Sequence, residues 1–235
     1  MAIQKIKISN FKCFNGLFEI ELNKGLNILV GNNETGKSTI LEAMHIALTG
    51  LYGGRNIRNE LSQYLFNKEV VDSYINSVNN GKALPPPFIS IEIFFDGSIN
   101  PEYEGNNNSD RAYCEGLKFE ISFNEKYNSE YNTLISKKNM MSIPIEYYEA
   151  SWTSFARQSV TIRSIPIKSA MIDSSNYRYQ NGSDVYISRI VKDLLSPEEI
   201  TAVSQAHRKM KDTFIDDASI KAINARISTE TSIVD

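Results

Sequence analysis

Cysteine and histidine are scarce in this chain of 235 residues, which holds only Cys13, Cys114, His45 and His207. Four scattered side chains give none of the close spacings that a zinc site requires. A domain of this length buries enough surface to need no disulfide or metal staple, so the two thiols read as plain reduced cysteines. Long apolar runs are missing too: none approaches the roughly 18 residues of a membrane span. The N-terminus MAIQKIKISNFK has no signal-peptide core. A cytoplasmic protein without membrane attachment is expected. No internal repeat is visible.

An excess of one charge sign is also absent. The net charge is −3, which supplies no composition-level argument for nucleic acid. Residues 89–130 alone carry nine acids against three bases, so the remainder is net basic and a positive surface elsewhere is compatible with the total.

What is present is a patterned α/β chain, 41% hydrophobic and 23% charged. Three strand-like runs come first: Ile3 to Ile8, Phe18 to Leu22, and Leu26 to Val30, the last apolar enough for a buried central strand. From Ser38 to Thr49 the period becomes helical, with Ile40, Leu41, Met44, Ala47 and Leu48 on one face, and Gly50 ends it. A helix is expected over Glu60 to Val78, before the breaker that runs into Pro85-Pro86-Pro87.

Two alternating runs, Ile89 to Phe95 and Leu117 to Phe123, read as half-buried antiparallel strands joined by a long polar hairpin loop. Further β signals lie at Ile143 to Tyr148, Val160 to Ile165 and Ala170 to Ile172. The rest reads as helical: Val185 to Leu195, then a helix opened by the capping box Ser196-Pro-Glu-Glu199, with Ile200, Val203, His207, Met210 and Phe214 as its stripe. His207 reads as a packing residue. The end, Thr231 to Asp235, reads as cut partway through a helical arm.

The motif that carries chemistry is Gly31-Asn32-Asn33-Glu34-Thr35-Gly36-Lys37-Ser38-Thr39, a full G-x-x-x-x-G-K-[ST] match. Glycines let successive N–H groups turn inward onto phosphate oxygens where a Cβ would obstruct. The helix behind adds unpaired N–H groups and the positive end of its dipole. Lys37 reaches the β- and γ-phosphates as a point charge, and the Ser38 hydroxyl completes a Mg²⁺ shell. From average residue frequencies, a chance match in a chain this long is about a one in a hundred event. The strand before it and the helix after it are the context that such a loop requires.

ATP and Mg²⁺ are therefore the expected ligands. Hydrolysis is a separate matter, because it needs a second carboxylate-bearing strand and a group that positions water. Two apolar runs end in aspartate, at Asp96 and Asp173, and neither is followed by glutamate. On pattern alone both read as strand-terminal turn residues. No N-K-x-D string supports a GTPase, and three strands precede the loop where a small kinase usually has one. No catalytic residue is assigned.

The order of strand, strand, strand, phosphate loop and helix resembles the N-terminal lobe of ABC-type ATPases of the RecF and SMC group. The runs Ile8 to Phe14 and Gly25 to Ala43 carry that likeness. Ala47-Leu-Thr-Gly50 with Arg55, Ile143 to Tyr148, Ser164 to Ala170, and Gln180 to Asp184 with Tyr186 to Ile190 resemble one branch, the OLD (overcoming lysogenization defect) ATP-dependent endonucleases, some of which defend against phage. The resemblance implies an ABC-type head lobe over 1–175, with a mixed sheet and an antiparallel portion around 88–165, and a helical arm or dimerisation region over 176–235.

It also implies a homodimer or larger homo-oligomer that sandwiches ATP between heads, and a toprim nuclease domain that cuts DNA and lies outside these residues. Gly31 to Thr39 map onto the ATP loop and Lys12 onto a basic position near the nucleotide. Asp173 falls where relatives hold Mg²⁺ with a glutamine, and Gln180 is the alternative. A serine-glycine signature, a Walker-B strand and a toprim cluster are missing from this sequence, so weak or no ATPase activity and no nuclease activity are expected of the isolated chain.

Overall fold

The computed structural model describes residues 2–82, 84–97, 100–172 and 195–230. The chain divides into two compact units between Met171 and Ile172.

The first unit is built on a six-stranded sheet. Its strands are β1 (Ala2–Ser9), β2 (Leu17–Glu21), β5 (Ile89–Asp96), β6 (Glu104–Gly105), β7 (Cys114–Phe123) and β8 (Tyr148–Ser154), and the order is β2-β1-β5-β7-β6 with β8 also paired to β7. Every pairing in it is antiparallel. A small hairpin of β3 (Leu51–Tyr52) and β4 (Arg55–Asn56) stands apart. Three helices complete the unit: α1 (Lys37–Thr49), α2 (Lys68–Asn79) and α3 (Asn128–Ile135).

The register explains why the sheet holds. Phe18, Ile8, Ile91, Phe119 and Trp152 are successive cross-strand partners, and so are Ile20, Ile6, Ile93 and Leu117. Because side chains alternate along each strand, these rows make one continuous apolar face, and α1 packs on it through Ile40, Ala43, Ile46 and Ala47. The buried indole N–H of Trp152 donates to the Ala47 carbonyl at 2.9 Å, pinning the last turn of α1 to β8. Gly50 ends the helix with φ of 65°, and a Cβ there would lie 2.3 Å from Ile162.

The opposite face carries charges of alternating sign, Glu19, Lys7, Glu92 and Lys118 in one row. Residues from the 104–112 loop cover part of it. Asp110 binds Lys5 and Lys7, while Ser109 donates to the buried Glu92 carboxylate from its N–H and its hydroxyl.

Several expectations need correction. Leu26 to Val30 is not a buried central strand: it pairs with nothing among the described residues, and Leu26, Ile28 and Val30 are 83%, 73% and 90% exposed. Only Leu29 packs against the core. A run apolar on both faces needs a neighbour on each edge and a layer on each side, and the described residues give it one side only. For the same reason the sheet is antiparallel where a mixed one was expected.

The strand β5 departs the other way. It is buried on both faces, because Glu92 and Phe94 on its polar side are covered by Ser109 and Phe155. The β signals at 143–148 and 160–165 resolve into 3₁₀ turns at Ile145–Tyr147 and Ile162–Ser164, with the strand beginning only at Tyr148. Residues 170–172 form no strand. The helix expected from Glu60 starts at Lys68, where Asn67 caps it by accepting from the N–H groups of Glu69 and Val70. Leu41 is half exposed instead of lying on the packed face of α1.

The second unit holds two helices among its described residues, α4 (Pro197–Asp216) and α5 (Ala218–Glu230). The capping box at the start of α4 is present in both directions between Ser196 and Glu199. Val203, Met210 and Phe214 are exposed along α4. The helix expected over Val185 to Leu195 lies outside the described residues except for Leu195.

Candidate functional site

The phosphate loop joins the exposed run Leu26 to Val30 to α1. Two of its residues adopt left-handed backbone, Glu34 at φ 66° and Gly36 at φ 89°. Gly36 meets both demands for glycine. Its φ disfavours a side chain, and a Cβ there would come within 2.9 Å of both the Cys13 sulfur and the Phe14 ring. The remaining loop residues, Gly31 to Thr35, are exposed. Thr35 closes the turn by donating its hydroxyl to the Asn32 carbonyl at 2.9 Å.

Behind the loop, α1 begins with no side-chain cap and no acidic residue in its first turn. The positive end of the helix is thus left uncompensated, and it meets a loop that a Cβ at Gly36 would crowd. That combination fits a phosphate group. The Lys37 ammonium folds back onto its own loop, donating to the carbonyls of Gly31 at 2.8 Å and Asn32 at 2.5 Å. Those two oxygens occupy the donors that a phosphate would otherwise take. Ser38 is exposed at the second position of the helix, with Thr39 half-buried beside it. A bound nucleotide would supply phosphate oxygens to the helix N–H groups and Lys37, and Ser38 has the hydroxyl to ligate its Mg²⁺.

The turn Phe11 to Asn15 flanks the loop. The Cys13 thiol lies 3.6 Å from the Thr39 hydroxyl, and Phe14 stacks on Phe18 with ring centroids 4.3 Å apart. Lys12 is held rigidly by its backbone: φ is 48°, its N–H donates to the Leu65 carbonyl at 2.9 Å, and its carbonyl accepts from Asn67 at 2.9 Å. Its ammonium meets the Glu42 carboxylate of α1 at 2.5 Å, 4.9 Å from the centre of the Tyr52 ring. Burial pulls the Lys12 ammonium down, but the hydrogen bond and charge of Glu42 outweigh it and leave the group above its ordinary value.

Residues 31–39 and Lys12 therefore share one neighbourhood. Asp96 does not. It sits at the far end of β5, level with Ala2, whereas the turn after Ser9 is level with Ser90; the strand between spans about 20 Å. Asp96 pairs instead with Lys24 at 2.7 Å. Asp173 and Gln180, the expected Mg²⁺-side residues, lie outside the described residues. Among the described residues no cluster of three or more His, Cys, Asp or Glu could hold a metal ion.

Cys13, Phe14 and Glu42 entered the site unannounced by the sequence. Glu42 alone left a trace: it lies four residues after Ser38, which on a helix puts both on one face.

A family model described as AAA domain matches residues 5–221. Among curated proteins, the DNA replication and repair protein RecF of Clostridium kluyveri is 36% identical over 97 residues, covering 41% of this chain and 25% of that protein. The DNA double-strand break repair Rad50 ATPase of Methanopyrus kandleri is 46% identical over 46 residues, 20% of this chain and 5% of that protein. Structural maintenance of chromosomes protein 6 of Saccharomyces cerevisiae is 50% identical over 46 residues, 20% of this chain and 4% of that protein. This chain thus matches a quarter or less of the length of each. A solved structure from work on ATP-driven dimerization and DNA-stimulated activation of SMC ATPases aligns over 86% of this chain and 97% of its own, with 18% identity and a TM-score of 0.39.

Proposed function

The chain belongs to the AAA domain family, and from that membership we propose that it is the ATP-binding lobe of an ATPase that works on DNA as a dimer of heads. The observation that carries the reading is the phosphate loop at 31–39, set on an uncapped helix and closed by its own lysine. Similarity to RecF, Rad50 and SMC proteins supports the DNA-maintenance part of it. In this reading Gly31 to Lys37 bind the triphosphate, Ser38 contributes to the Mg²⁺ shell, Asp173 supplies the second Mg²⁺ contact, and Lys12 adds a cation from the flanking turn. ATP then acts by joining two lobes around or upon DNA.

Titration of the chain with a fluorescent ATP analogue and Mg²⁺ tests the core of this. Binding is expected for the wild type, and a loss of at least about tenfold in affinity for Lys37→Ala, because the lysine contacts are charge-assisted. Binding unchanged in that variant would remove the assignment.

A second reading, that the lobe serves an OLD-type endonuclease, rests on the strings Ala47 to Gly50 with Arg55, Ile143 to Tyr148, Ser164 to Ala170, and Gln180 to Asp184 with Tyr186 to Ile190. It requires a toprim domain outside these 235 residues. The gene sequence beyond Asp235 discriminates: an acidic toprim cluster favours the nuclease, and a long coiled coil or a bare second lobe favours the alternative, a non-nucleolytic ATP-gated DNA clamp or repair ATPase of RecF/SMC type.

A further inference from the structure

The Lys12–Glu42 pair is an unusual thing to find beside a phosphate loop. An anion-binding site gains from free cations, yet a carboxylate on α1 itself holds one of the nearest. Glu42 comes four residues after Ser38, so the two side chains project from one helix face about one turn apart. The Lys12 ammonium is thus bound to a carboxylate on the same face of α1 as the hydroxyl expected to face Mg²⁺ and phosphate, one turn further from the loop. Its backbone is fixed from both sides by Leu65 and Asn67, so only the flexible side chain is left to move. Lys37 shows the same arrangement, with its ammonium bound to carbonyls of the loop.

We infer that Glu42 is a positioning residue that stands in for phosphate, holding the Lys12 ammonium until a nucleoside triphosphate takes it over. The inference rests on the reading of 31–39 as a nucleotide site. Triphosphate binding then exchanges one charge-assisted hydrogen bond of Lys12 for another, and part of the attraction of Lys12 for phosphate goes into releasing Glu42. The device sets affinity through competition: strengthening the pair weakens nucleotide binding, and removing the carboxylate charge tightens it. Burial supports the exchange, since both side chains are only about a quarter exposed. At that depth the pair is worth more than a surface ion pair, yet solvent still reaches it. Tyr52 and Phe11 border the ammonium with their ring faces, 4.9 and 5.7 Å from their centroids, and keep it near the site after Glu42 lets go.

The test is a double-mutant cycle on the whole chain, read by titration with the fluorescent ATP analogue and Mg²⁺. Glu42→Gln keeps the shape and removes the charge, and is expected to tighten binding about fivefold, the scale of a partly exposed ion pair. Lys12→Met is expected to weaken it. In the Lys12→Met background, Glu42→Gln should change nothing, a result that a merely structural role for Glu42 would not produce. Thermal melts of all four proteins separate folding from binding. Unchanged or weaker binding in Glu42→Gln, or an equal effect of that substitution with and without Lys12, overturns the inference while leaving the phosphate-loop reading intact. Failure of every protein, wild type included, to bind nucleotide overturns both.

Discussion

At the scale of single residues, charges that enter covered surfaces in this molecule are answered by partners. Lys5 and Lys7 sit on a sheet face that is covered by a loop, and Asp110 from that loop pairs with both, with Glu19 on the other side of Lys7. Hydrogen bonds from Lys5 and Lys7 hold the Asp110 carboxyl below its ordinary value. A carboxyl depressed on folding contributes stability that is present above its unfolded value and is lost as the pH falls through its folded one. Denaturant midpoints of the wild type should therefore fall on acidification below about pH 4. Asp110→Asn should flatten that fall while lowering the midpoint at neutral pH. A slope identical to the wild type's would show that Asp110 does not contribute. Lys7 runs the opposite way. Burial lowers its ammonium, but Asp110 and Glu19 raise it further, so its contribution is present at neutral pH and lost only in strong alkali.

The phosphate loop obeys the same residue logic. Which positions need glycine is legible from the motif, and the structure adds the reason at Gly36, a left-handed φ against Cys13 and Phe14. The partners themselves are not legible, because Cys13, Phe14 and Glu42 reach the site through chain folding and carry no motif. In the sequence only a resemblance singles out Lys12, and its carboxylate partner is thirty residues away along the chain.

At the scale of elements, the contrast between two apolar runs is instructive. Both Leu26 to Val30 and Ile89 to Phe95 read as strands. Only the second has neighbours, β1 and β7, and both its faces are covered. The first has Leu29 against the core and its other apolar side chains in solvent. Ile28→Ser should accordingly shift stability by no more than about 0.5 kcal/mol, as for surface sites. Trp152→Ala, which removes a buried ring from the five-strand row and the hydrogen bond to Ala47, should cost about 3 to 5 kcal/mol. Urea unfolding of the two variants checks the pair, and a large loss for Ile28→Ser would mean that its side chain is covered in solution. Local pattern foretold α1, β5, β7 and the α4 capping box. It failed at 143–148 and 160–165, where Ile145, Tyr147 and Ile162 sit in 3₁₀ turns, partly buried against the core without a strand partner.

At the scale of the whole chain, the division after Met171 separates a unit with its own sheet, core and phosphate loop from one represented by two helices among its described residues. A fragment ending at residue 171 should keep the thermal midpoint of the full chain within a few degrees, since among the described residues those of the core all precede that point. It should also keep most of the nucleotide affinity, because the loop, Lys12 and Glu42 are within it. Calorimetry of both proteins checks the first statement and the ATP-analogue titration the second. A fragment that fails to fold would show that the first unit depends on residues 172–235.

Local pattern is enough to establish the α/β P-loop class and to nominate the phosphate-binding residues proposed above, because both rest on period, turn chemistry and the spacing of glycine, lysine and serine. It is not enough to say which apolar runs become strands, that Asp96 stands at the wrong end of the sheet, or that Lys12 is held by Glu42; those came from the folded chain. Each of them depends on what a distant part of the chain brings alongside. A strand is made by its neighbours and an ion pair by its partner, and neither is written in the residues next to it.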